Sequence, residues 1–266
     1  MSDPPASSAA DTRLPTFVKM ITFAPMVDSE CTRLVLTHYA IAFEEQDHVF
    51  GWASLLTLLH GGYGRIPLVH GRGIHASGPR AVVEKLDPLA GDRRLLPTDP
   101  KLRAQVEKDW AIYNGQLALH VAAFAYYHLL PERDAMIAAF RSELSGVEQR
   151  MAAPSYGMVR WMLRMLLRLS PQRAADALDR VRAILDQTDE RVRDGRRCLA
   201  GEAVTLADLG FASAIAPLAL PKRYLKHVPP FELLPEAYRA AVEETRARPA
   251  AAFLDRLLQS IVPAAR

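Results

Sequence analysis

Cysteine is nearly missing from this chain: Cys31 and Cys198 are the only two in 266 residues. Two thiols build no disulfide framework, so a reducing, cytoplasmic compartment is the expectation. An excess of one charge is missing too. The 33 basic residues face 30 acidic ones, and nothing in that balance draws the chain to nucleic acid. Long apolar runs are absent. "MVRWMLRMLLRL" and "LGFASAIAPLAL" fall well short of the roughly 20 residues that span a bilayer, so no integral membrane association is expected. Residues 1–15, "MSDPPASSAADTRLP", carry acids but no apolar core segment and read as a disordered tail rather than a signal peptide. Metal-ligand spacing is also lacking. His70 and His75 flank a turn, His120 and His128 lie eight residues apart, and "HGGYGR" (60–65) precedes a strand instead of the helix that a phosphate loop needs.

What is present is apolar content, 50% of residues, enough for one large or two modest cores. The first 87 residues alternate in pattern. "FVKMITF" reads as a strand, "SECTRLVLTHYAI" as an amphipathic helix and "AFEEQDHVF" as a polar strand. "WASLLTLLH" reads as a helix, "RIPLV-HGRG-IHAS" as two strands about a glycine turn, and "PRAVVEKLD" as a short helix opened by proline. Residues 88–100 hold three prolines and no period, the mark of a linker. Beyond it every pattern is helical: about 100–130, 133–152, 158–169, 171–194, 205–220 and 235–261, with Pro154 and Gly157 taken as a break. The expected fold class is therefore α/β followed by all-α, with a tail at 1–15, an α/β domain at 16–87, a linker at 88–100 and a helical domain at 101–266.

One helix start is specified in detail. In "AVTLADLGF", Thr205 stands at the N-cap and Asp208 at N3, a capping box with Asp in place of Glu. Val204 and Leu209 are placed to form the hydrophobic staple around it.

Three stretches together resemble the glutathione transferase superfamily. "GRIPLV" is similar to its strand with a cis-proline, "LDPLAGDRRLLPTDP" to its interdomain linker, and "RRCLAGEAVTLADL" to the segment leading into its buried capped helix. "ECTRLVL" points to the omega-like and related bacterial branches. The resemblance implies a thioredoxin-like N-terminal domain, a C-terminal helical bundle, glutathione as cosubstrate and a homodimer. It implies a cis bond before Pro67, where Ile66 would offer its N–H and C=O to the cysteinyl part of glutathione as an added strand; pattern alone is equally served by a strand that ends there in trans.

The chain departs from that family at its site. Met26 falls where the omega-like branch has a catalytic cysteine, and a thioether neither ionises nor donates. Ser29 is left as the candidate thiolate donor, or as an N-cap together with Asp28. Cys31 either gains acidity in the first helical turn or packs as a small apolar group. The family's carboxylate-binding pair falls on Gly78-Pro79, where proline has no N–H to give; Ser77 and Arg80 are the substitutes, or a cap and a solvated charge. Tyr113 is a substrate-pocket candidate or a core aromatic. Met158, Trp161, Met162, Met165, Leu166 and Leu169 are expected to face the core, with Arg160, Arg164 and Arg168 outside and solvated; the functional alternatives are a cover over the hydrophobic substrate pocket or a docking face for an anionic surface. The expected activity is transfer of glutathione thiolate to a small apolar electrophile. The alternative is a degenerate relative that binds an apolar ligand.

Overall fold

The computed structural model describes residues 13–141, 144 and 146–261. Most of the expected tail, 1–12, lies outside the described residues. The chain opens with β1 (Phe17–Thr22), α1 (Val27–His38), β2 (Ala42–Asp47), α2 (Phe50–Leu59), β3 (Leu68–Gly71), β4 (Ile74–Ser77) and α3 (Pro79–Leu86). The sheet order is β2-β1-β3-β4. β1 runs parallel to β2, with α1 as the crossover, and antiparallel to β3, in register Met20 to Val69. Burial follows position in the sheet: Val18, Met20 and Ile21 of the central β1 are buried, whereas in the edge strand β2 Glu44 is exposed and Glu45 and Asp47 are part-buried.

The linker is pinned rather than loose. Asp87 accepts the N–H groups of Leu95 (2.6 Å) and Leu96 (3.1 Å) and the hydroxyl of Tyr39 (2.8 Å). Helices follow: α4 (Pro100–Trp110), a π-helical stretch (Ala111–Leu117), α5 (Ala118–Leu129), α6 (Arg133–Arg141), α7 (Gly146–Leu166), α8 (Pro171–Val192), α9 (Leu206–Ala219), α10 (Glu236–Arg246) and α11 (Pro249–Ile261). Their starts carry the caps their sequences call for. Asp99 accepts from Leu102 N–H ahead of Pro100, and Ser170 accepts from Arg173 N–H ahead of Pro171. A thioredoxin-like domain followed by a helical domain is thus the fold class.

Every residue of α9 is buried, and α1 packs against it from the first domain. Gly210 permits the approach of α4: a β-carbon there would lie 2.9 Å from the Trp110 ring.

Two expectations fail here. The break placed at Pro154 and Gly157 does not exist. α7 runs through both, and Leu144, inside the helix expected at 133–152, is not helical. An interior proline costs a helix about 3 kcal/mol, which burial of Ala152, Tyr156, Val159 and Leu163 on one face outweighs. That stripe also overturns the second expectation. Met158, Trp161 and Met165 face solvent, Leu166 is exposed but borders the apolar cavity between the domains, Met162 is half-buried, and of the residues assigned to the core Leu169 alone is buried.

Candidate functional site

Two depressions meet at the start of α1. The first is an apolar cavity of about 370 Å³ between the domains, walled by α5, α7 and the segment before α10. The second is a more polar groove of about 550 Å³ that runs along Ile66, the end of β4 and the start of α3. Met26, Asp28 and Asn114 line both.

The groove is built from main chain as much as side chains. The Ile66–Pro67 peptide bond is cis, and the Pro67 carbonyl accepts from Gly78 N–H at 2.8 Å. Ile66, Ser77, Gly78, Pro79 and Arg80 all border the groove, as do Arg65 and Trp110. Gly78, at φ 83°, is the N-cap of α3. The first intrahelical bond of α3 is Val82 N–H to Gly78 C=O, so the N–H groups of Arg80 and Ala81 have no acceptor within the helix. The Ser77 hydroxyl donates to Gly62 C=O at 3.2 Å. Arg80 is engaged: its guanidinium pairs with Glu84 (2.8 Å) and with Glu107. The exposed Arg65 is a second cation at the groove.

At the junction, Met26 is the N-cap of α1 and offers no side-chain cap. The helix's first bond is Glu30 N–H to Met26 C=O, so the N–H groups of Val27, Asp28 and Ser29 lack intrahelical acceptors. Asn114 Nδ2 donates to Asp28 Oδ1 at 3.3 Å. Burial raises the Asp28 carboxyl above its ordinary pKa, offset in part by that hydrogen bond.

Three side chains singled out in the sequence are elsewhere. Ser29 is fully buried behind the helix start, where its hydroxyl donates to Phe23 C=O at 2.9 Å and accepts from the Thr22 hydroxyl. It reaches neither depression. Cys31 is buried against Ser213 of α9, and burial followed by the Asp28 charge pushes its thiol pKa up, not down. Tyr113 packs edge-on to Phe211 at 5.2 Å and bonds Thr188 at 3.1 Å, in the core. Its helix does line the cavity, through Asn114, Gly115 and Ala118 instead. Because the Ser29 hydroxyl faces the core, Ser29→Ala is expected to lower stability by about 1–2 kcal/mol. Any thiol-transfer rate should stay within about twofold, which melting and initial-rate measurements would check.

Asn114 and Arg65 carried no motif in the sequence; only the folded chain places them beside Met26 and Ile66. His227 was also silent. It lines the cavity as a neutral imidazole, its pKa lowered to about 2 by burial first and then by the charges of Arg33, Lys226 and Arg223. Tyr224 stands beside it with its hydroxyl on Pro25 C=O at 3.0 Å.

A glutathione S-transferase from Rhodospirillum rubrum superposes on this chain with a TM-score of 0.56 over 89% of this chain and 91% of its own, at 16% identity. The chain has the glutathione transferase fold. The beta-etherase LigF of a Sphingobium strain matches with a TM-score of 0.55 at 16% identity, covering 90% of this chain and 98% of that one. FzlA from C. crescentus matches with 0.53 at 17% identity, covering 95% and 97%. No family model and no curated protein matches at the level of sequence. At 16–17% identity the likeness carries the fold alone, and the site has to be read from its own geometry.

Proposed function

We propose that the protein is a glutathione transferase-like enzyme that joins glutathione thiolate to a small apolar electrophile. The observation that carries this reading is the junction: a polar groove and an apolar cavity that share Met26, Asp28 and Asn114. The groove suits an extended peptide, whose cysteinyl part would pair with the main chain of Ile66. The γ-glutamyl carboxylate would take the free N–H groups of Arg80 and Ala81 and the charge of Arg65, in the role the family gives to a Glu-Ser pair. The thiol sulfur would then lie against Met26, at the positive end of α1. The N–H groups of Val27 and Asp28 would stabilise the thiolate, since Ser29 and Cys31 are turned away. That thiolate would attack an electrophilic carbon held in the cavity. The carbon–sulfur bond forms as the leaving group departs with its electron pair, and the thiol proton passes to water. The reading places the protein in a reducing compartment, as a homodimer.

The test is direct. Millimolar glutathione should raise Tm by several degrees, and an aryl halide should be conjugated at a rate that depends on enzyme concentration. Asp28→Asn should sharpen both. It keeps the acceptor for Asn114 but removes a negative charge facing the thiolate, so glutathione affinity should rise about tenfold, or 1.4 kcal/mol. The half-maximal pH of conjugation should move down accordingly. An unmoved Tm with glutathione and no conjugation would overturn the proposal.

A second reading is favoured by one feature. Met26 brings a thioether where a donor would sit, and the cavity beyond it is walled almost wholly by carbon. A carrier of an apolar ligand would show a Tm rise with such ligands and none with glutathione.

A further inference from the structure

We propose that the outward face of α7 docks the protein on an anionic lipid surface; the inference does not depend on the activity above. α7 has two apolar stripes. One, through Ala152, Tyr156, Val159 and Leu163, is buried. The other lies on the opposite side: Val147, Met151, Met158, Trp161 and Met165 recur at intervals of four, seven, three and four residues, which keeps them in line on a helix. Trp161 is 65% exposed, Met158 64% and Met165 63%. A tryptophan and three methionines held in water along one line have no structural task among the described residues.

Charge selects the occupant. From Gln149 to Leu169 there is no acidic residue and there are four arginines, Arg150, Arg160, Arg164 and Arg168. Arg150, Arg164 and Arg168 are exposed and Arg160 is half-buried, along the edge of the apolar stripe. Glu148, the nearest acid in the helix, is spent on His48 and on Val49 N–H at 3.0 Å. A second copy packed on this stripe would bring arginines against arginines with no acid from either helix to receive them. An anionic bilayer offers both complements at once: an apolar boundary for the Trp and Met side chains and phosphates for the guanidiniums. The attachment is peripheral, since no described helix is long and apolar enough to cross a membrane.

Co-sedimentation of the full chain with vesicles tests this. Binding is expected to vesicles of phosphatidylcholine carrying about 30% phosphatidylglycerol, at least tenfold over phosphatidylcholine alone, with release as salt shortens the screening length. Arg160→Gln, Arg164→Gln and Arg168→Gln together should weaken it by about a hundredfold, at roughly fivefold for each charge. Trp161→Ser with Met165→Ser should abolish binding without lowering Tm, because both side chains are outside the core. Equal binding to the two vesicle types, or none to either, overturns the proposal. So does a wild-type dimer that the serine pair converts to monomer, which would assign the stripe to a second copy. A loss of Tm in the serine pair would leave the arginine set, which alters no apolar side chain, to decide the matter.

Discussion

Arg33→Ala is expected to destabilise the protein by about 3 kcal/mol, the cost of leaving the largely buried Glu45 carboxylate without its cation. The guanidinium is 5% exposed and lies between Glu30, itself 2% exposed, and Glu45. Its Nη1 reaches Glu30 at 3.0 Å, its Nε spans both Glu45 oxygens at 2.9 and 3.0 Å, and its Nη2 adds Ala24 C=O at 3.0 Å. Removing it strands Glu45, while Glu30 keeps Arg223 at 2.9 Å. Tm should fall by about 10 °C, given a few degrees for each kcal/mol in a chain of this size. Arg33→Lys should recover little, because one ammonium cannot hold two carboxylates and a carbonyl in a planar fork. Adding Glu45→Gln to Arg33→Ala should restore part of the loss. The site should feel the change as well. Ala24 lies two residues before Met26, so freeing its carbonyl loosens the start of α1, and the stabilisation conferred by glutathione should shrink in the variant. A loss under about 1 kcal/mol would mean that the charges are solvated in the native state.

None of that network was legible in the sequence. Arg33 and Glu30 share a helix, but Glu45 comes from an edge strand and Arg223 from nearly two hundred residues away, so no local pattern links them. The architecture itself was legible because its signals are local. Strand alternation, helical period, the prolines of the linker and the capping residues each act within a few positions. The failures mark where distant partners decide. α7 has two apolar stripes with the same period, and periodicity cannot tell which of them meets the rest of the protein. Pro154 reads as a breaker until the packing of its neighbours is known.

The outline of the candidate groove was legible and the placement of individual side chains was not, for a related reason. Met26, Ile66, Ser77, Gly78 and Arg80 do border one groove, because they follow strand ends and helix starts whose geometry is regular, whereas Pro67, expected with them, is buried and lines neither depression. Ser29 is only three residues past Met26, but that is most of a helical turn, and it carries the hydroxyl to the Phe23 carbonyl. Tyr113 and Asn114 are neighbours in sequence, yet they point to the core and to the cavity respectively. The role of Arg80 is limited by Glu107, which lies on a different helix.

The second large effect lies in the cap of α9. Asp208 is fully buried, and its carboxylate accepts from Leu199 N–H (2.7 Å), Thr205 N–H (2.8 Å) and the Thr205 hydroxyl (2.7 Å). Asp208→Ala strands two buried main-chain donors and a hydroxyl, for a loss of about 3–4 kcal/mol. The cost should depend on pH in a defined direction. Burial pushes the Asp208 carboxyl from its ordinary 3.8 up to about 6, against the pull of those hydrogen bonds and of Arg191. A group whose folded pKa exceeds its unfolded one binds more protons in the folded state, so wild-type stability from this residue declines as pH rises from about 4 to about 6 and is level above. Alanine has no such dependence. The difference between wild type and Asp208→Ala should therefore be about 1 kcal/mol larger at pH 5 than at pH 7.5, measurable by urea denaturation at the two values. A difference that is equal or smaller at pH 5 would show that the three donors outweigh burial and that the carboxylate is held ionised by its cap.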